Sequence, residues 1–163
     1  MKKFLSLIVI FLFVSVFAAC DKHESESDWD YTPIAVCFEV LDSEGNNLYE
    51  SSTADNWLGQ SASCTFDGQS YLYPFNTADP DAVRFALAEY ASGSGNPLTV
   101  ICFGDLDGSK DYDSDLLVSW PDGSTDRVKI YNKVEQTGTG APKITRSMKL
   151  NGTECKELIT LRK

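Results

Sequence analysis

The chain has 163 residues, with 14 basic against 24 acidic side chains and a formal charge of −10. This length fits one domain with a real core and leaves a second one cramped. The charge repels phosphate backbones and anionic lipid, and no basic stripe offsets it, so nucleic acid is excluded as a partner.

Lys2 and Lys3 precede Phe4 to Phe17, a run without a charged residue. A positive start followed by an apolar stretch is the signature of a signal peptide, and the run is shorter than the roughly 20 apolar residues a spanning helix needs. Its end, Phe17-Ala18-Ala19-Cys20, resembles the lipobox of bacterial lipoproteins. The resemblance implies that residues 1–19 are removed and that Cys20 becomes an acylated first residue. Several acyl chains on one residue bind a lipid bilayer firmly where a single chain holds marginally, so the mature protein is expected to be anchored without spanning. Export to the outer membrane or cell surface is the expected location. Without residues 1–19, which contain two lysines and no acid, 12 basic side chains face 24 acidic ones, a charge of −12.

Residues 20–30 follow the lipidated cysteine with an acidic, aperiodic stretch, Asp21 to Asp30, predicted to be a disordered tether. It also resembles the surface-export signal of lipoproteins from Bacteroidetes-type bacteria, with the acidic cluster diluted. The one histidine of the chain, His23, falls here. Away from rigid neighbours it serves neither Ser-His-Asp nor Cys-His catalysis, nor a histidine metal site.

The folded domain is expected over 31–163. Ile34, Val36, Phe38 and Val40 alternate, as a strand with one buried face requires. Turn residues fill Asp42 to Asn47, and a short segment near Leu48 and Tyr49 and a loop through Trp57 lead to a strand over 61–66. Asp67-Gly68 between this strand and Gln69 to Tyr73 is a strong hairpin signal. Residues 79–91 carry two patterns. Asp79 and Pro80 suit a helix start, and Val83, Ala86, Leu87 and Tyr90 follow helical spacing, but the flanks are strand and turn, so strand is the reading adopted. Ser92 to Pro97 is expected to be a hairpin loop before a strand at Leu98 to Phe103. Leu116 to Trp120 and Arg127 to Tyr131 flank the turn Pro121-Asp122-Gly123-Ser124, and Lys143 to Leu150 and Glu154 to Leu161 flank Asn151-Gly152. Eight to ten strands punctuated in this way predict an all-β, antiparallel two-sheet sandwich, immunoglobulin-like in architecture.

Phe103-Gly104-Asp105-Leu106-Asp107-Gly108, the hairpin Val118 to Ile130 and Leu150-Asn151-Gly152 resemble a family of small lipoproteins of Bacteroidetes-type bacteria over most of residues 31–163. The resemblance implies a β-sandwich, export and a lipid anchor, and it brings no catalytic residues. Where relatives often carry Trp-Gly-Asp-Gly, this chain has Trp120-Pro121-Asp122-Gly123.

Cys37, Cys64, Cys102 and Cys155 remain once Cys20 is acylated. They allow two disulfides in three pairings, or buried free thiols acting as small hydrophobes; without a CxxC pair no zinc ribbon or redox motif is expected. Asp105, Asp107, Asp111, Asp113 and Asp115 lie within eleven residues. Such a cluster is either a solvated acidic loop or a gathering of ligands around calcium, and Asp111, Asp113, Asp115 and Asp122 fit the first, third, fifth and twelfth places of a calcium loop, with Leu116 where its glycine belongs. Trp57 and Tyr112, expected in loops, are the candidate exposed rings for stacking on a sugar or a protein. No enzyme is expected: carboxylates are plentiful, but a sandwich of this size offers loops instead of a cleft. The expected role is a binding or accessory module for a glycan or an envelope protein, the alternatives being a fimbria-like structural subunit or a small hydrolase.

Overall fold

The computed structural model describes residues 31–74, 83–91, 97–138 and 140–163. The leader, Cys20, the tether, Asp79-Pro80 and the 92–96 loop lie outside them. Ten strands form: β1 (Ile34–Leu41), β2 (Ala62–Phe66), β3 (Gln69–Tyr73), β4 (Arg84–Ala91), β5 (Pro97–Leu106), β6 (Tyr112–Ser119), β7 (Thr125–Glu135), β8 (Lys143–Leu150), β9 (Thr153–Cys155) and β10 (Leu158–Arg162). Among the described residues there is no helix.

Two sheets result, one of order β10-β1-β5-β4 and one of order β3-β2-β6-β7-β8-β9. The alternation in β1 buries Ile34, Val36, Phe38 and Val40 completely. Phe85 and Phe103 from the same sheet join Leu116, Val118, Val128 and Ile130 from the other in a single apolar cluster, which is what makes the two sheets a sandwich. Each such side chain contributes about 1.5–3 kcal/mol by leaving water.

The turns act as their residues dictate. Asp67-Gly68 and Asn151-Gly152 both take positive φ at each position, the conformation of a type I′ hairpin. Gly123 alone is left-handed in the turn at 120–124, where the Trp120 amide donates to the Ser124 carbonyl at 2.9 Å.

One expectation needs correction and two gain detail. The sandwich is not wholly antiparallel, because β10 runs parallel to β1. Its chain returns from β9 and enters beside β1 with the Cys37 amide bonded to the Glu157 carbonyl at 2.8 Å. The short segment at Leu48 and Tyr49 follows an isolated bridge, Leu41 to Asn47, and both its side chains are buried. The strand expected over 79–91 occupies 84–91, its first part lying outside the described residues. Strand prevails over helix there because all eight residues pair with β5 and Phe85 enters the core.

Candidate binding surface

The acidic run does not gather around one point. Asp113 and Asp115 sit two residues apart on β6, hence on one face, and β7 presents bases to them in antiparallel register. Lys129 pairs with Asp113 at 2.7 Å, Lys133 with Asp111 at 2.7 Å, and Arg127 with Asp115. The Lys133 ammonium and then the Val134 amide hold the Asp111 carboxyl below the usual carboxylate range. Arg127 does the same for Asp115, and the Ser109 hydroxyl for Asp107. Among the described residues no three acids, cysteines or histidines converge as a metal ion requires. The spacing that suggested calcium is thus a two-strand ladder of exposed ion pairs, and the strand from Leu116 carries Asp122 into a separate turn.

Neither candidate ring is an exposed platform. Trp57 is 8% exposed and packs edge-on to Tyr49, at 6.1 Å between centroids, because its amide bonds back to Leu48 and draws the loop over the core. Tyr112 opens β6 instead of lying in a loop, with its ring 5.9 Å from Phe66. Trp120 is 3% exposed, its indole donating to Asp126 at 2.8 Å.

Of the cysteines, Cys37 and Cys102 form a disulfide between directly opposed residues of β1 and β5. It lies within one sheet. Cys64 and Cys155 are free, and burial pushes the Cys64 thiol up to about 12.

Among the described residues, the far side of β4 is left without a paired strand, since in the order β10-β1-β5-β4 this strand stands last. The direction of its free groups follows from the register. Cys37 and Cys102 have Cα atoms 4.1 Å apart, the narrow spacing of a pair that exchanges no backbone hydrogen bonds. Cys102 therefore turns its N–H and C=O to β4, where Ala86 faces it. By alternation, Phe85, Leu87, Glu89 and Ala91 turn theirs outward. Thr99 agrees, since its carbonyl, opposite Glu89, points the other way and accepts from Asn47 Nδ2 at 2.7 Å.

A groove of about 340 Å³ runs beside this edge. Ala35, Ala86, Ala88, Gly104 and the disulfide make its floor, with Tyr90 on its wall. A β-carbon at Gly104 would stand 3.0 Å from that of Ala35, so the floor stays shallow because position 104 has no side chain. Arg84, Glu89 and Asp105 line the same groove, so both signs of charge stand along it. Of these residues the sequence had singled out Asp105, as a possible calcium ligand, and Cys37 and Cys102, as possible disulfide partners, but none as part of a groove; Ala86, Leu87 and Tyr90 had entered only as a helical spacing set against the strand reading. Comparison with protein-family models, with curated proteins and with solved structures finds no match.

Proposed function

We propose that this chain is an envelope lipoprotein, lipidated at Cys20, whose sandwich binds another envelope protein by accepting a strand at β4. The observation that carries the reading is an eight-residue edge that pairs with no strand among the described residues and has four outward-facing backbone positions. An unpaired edge of this length is a hazard unless it is blunted or used, and an incoming strand gains main-chain hydrogen bonds together with side-chain pockets. The lipobox-like Cys20 and the family resemblance support the anchor, the outer-membrane or surface location and an immunoglobulin-like layer architecture. The same edge serves a fimbria-like subunit, in which the partner is a neighbour in an assembly. Glycan stacking has lost its support in Trp57 and Tyr112, which are packed into the sandwich.

The test is amide hydrogen exchange of the full-length protein in its own membranes and after extraction into detergent. Slow exchange at Phe85, Leu87 and Glu89 only in the membrane sample is expected, together with loss of palmitate labelling in Cys20→Ala. Equal exchange in both samples would overturn strand acceptance, and labelling that survives Cys20→Ala would overturn the anchor.

A further inference from the structure

A second concave site lies where β1 and β5 part. Their pairing ends at Phe38 opposite Ile101, and beyond it Asn47 comes in against both strands, bridging to Leu41. Its Nδ2 donates to the Thr99 carbonyl at 2.7 Å, its Oδ1 accepts from the Tyr49 amide at 2.9 Å, and its carbonyl accepts from the Thr53 hydroxyl at 2.6 Å. Asn47 and Thr53 are both buried and satisfied, so the segment after β1 is pinned to the strand ends. A cleft of about 430 Å³ results, within the size range of small-molecule sites.

We infer that this cleft binds a neutral saccharide through hydrogen bonds, an assignment that does not depend on strand acceptance at β4. Glu39, Asn46, Glu50 and Ser52 line it, together with Leu41 and Leu98. One Glu39 carboxylate oxygen accepts from the Thr160 hydroxyl at 2.8 Å, and among the described residues the Glu50 carboxylate has neither an ion pair nor a hydrogen bond. The Asn46 Nδ2 is taken up by Asp42 at 2.9 Å, which leaves the side-chain oxygen as an acceptor. Donors are supplied by the Ser52 hydroxyl and by Arg162, whose Nη1 lies 3.7 Å from where a β-carbon at Gly45 would stand. A sugar hydroxyl donates and accepts at once, so it suits a cleft that mixes carboxylates with donors. Leu41 and Leu98, both half-buried, offer apolar surface to the C–H groups of a sugar ring.

The charges select a neutral ligand. Glu39, Glu50 and the adjacent Asp42 outnumber Arg162, and the chain carries −10, so an anionic sugar is repelled. A bare metal ion lacks ligands, since no three acids converge among the described residues. A neutral polyol meets neither obstacle.

The probes are neutral trisaccharides of glucose, mannose and galactose, the trimer of galacturonic acid, and trilysine, each titrated by calorimetry into the full-length protein in a sugar-free detergent. Saturable binding of at least one neutral trisaccharide is expected. Glu50→Ala and Glu39→Ala should each weaken it at least about tenfold at an unchanged urea midpoint, because each removes an acceptor that the sugar hydroxyls use. Ser52→Trp, which fills the cleft from an exposed position, should abolish it even if a glutamate variant proves unstable. No binding of any neutral trisaccharide, or binding that survives all three substitutions, would overturn the site. Equal or tighter binding of the galacturonate trimer or of trilysine would overturn the neutral class.

Discussion

The Lys163 ammonium lies 2.7 Å from the Asp126 carboxylate, a pair with both side chains about nine-tenths buried, and 5.7 Å from the centre of the Trp120 ring. Asp126 belongs to β7 in one sheet, while Lys163 follows β10 in the other and bonds through its own amide to the Leu41 carbonyl. The carboxylate also accepts from the Trp120 indole and from Asn151. One acid thus ties the two sheets, a hairpin turn and the central tryptophan together.

The first prediction concerns this lock. Lys163→Met leaves a buried carboxylate with one fewer charged donor and should cost about 1–3 kcal/mol, read as a lower urea midpoint at unchanged slope. Burial by itself would raise the Asp126 carboxyl, but hydrogen bonds from Lys163, Asn151 and Trp120 outweigh it and leave the group below its usual value. A depressed carboxyl contributes stability that is present above its unfolded value of about 3.9 and is lost as pH falls through the folded one. Asp126→Asn should therefore lose stability at neutral pH and show a shallower decline than wild type below about pH 4. Parallel declines for the two proteins would remove Asp126 from the acid limb.

The second prediction separates the ion-pair ladder from a calcium site. Exposed pairs of this kind contribute about 0.2–1 kcal/mol each and weaken in salt. Arg127→Gln should lower stability by less than about 1 kcal/mol, with the difference shrinking at high ionic strength. Calcium against chelator should leave the urea midpoint where it is. An ion bound at a hundred times its dissociation constant would instead add about 2.7 kcal/mol.

The ladder also shows how much of this molecule was legible beforehand. The acids at 111, 113 and 115 and the bases at 127, 129 and 133 lie on the two sides of the Pro121-Asp122-Gly123-Ser124 turn, and a hairpin register laid on the sequence puts Asp115 opposite Lys129, with Asp113–Lys129 and Asp115–Arg127 as diagonal pairs. Counted along the chain alone, the acids look unpaired and suggest a cation. The hairpins were legible for the same reason that the ladder was missed: Asp67-Gly68 and Asn151-Gly152 are local signals, whereas the pairing of β10 with β1 joins residues more than a hundred apart. The open edge at β4 was beyond reach, because which strand ends a sheet depends on every other pairing.

The third prediction follows from the route by which the chain enters the domain. Gly108 lies against the backbone of Thr32, and a β-carbon there would collide with the Thr32 carbonyl oxygen. Arg146 bonds to that same carbonyl at 3.0 Å and to Asn132 at 3.0 Å, and Asn132 reaches the Gly108 carbonyl at 3.2 Å. Gly108→Ala should cost about 1–3 kcal/mol, because the obstacle is backbone and has no rotamer to yield. Faster proteolysis near Thr32 should accompany the lower urea midpoint. A stable variant with unchanged cleavage would show that the entry segment is not clamped there.

The fourth prediction concerns the sulfur chemistry. Cys37 and Cys102 are 65 residues apart in sequence, and a cross-link over a loop of that size restricts the unfolded chain by about 4 kcal/mol on the entropic account. Cys37→Ala with Cys102→Ala should therefore lower stability by about 2–4 kcal/mol while the β1–β5 ladder, which has its own backbone bonds, keeps the native circular dichroism. The two free thiols should differ in rate. Desolvation raises both, but Cys64 is almost wholly enclosed between the sheets while Cys155 is partly open beside Lys156. Since the thiolate is the reactive form, iodoacetamide at mildly alkaline pH should label Cys155 first, and Cys64 only when urea opens the core. Mass spectrometry of timed samples checks the order, and early labelling of Cys64 would mean that the sandwich opens well below its unfolding midpoint.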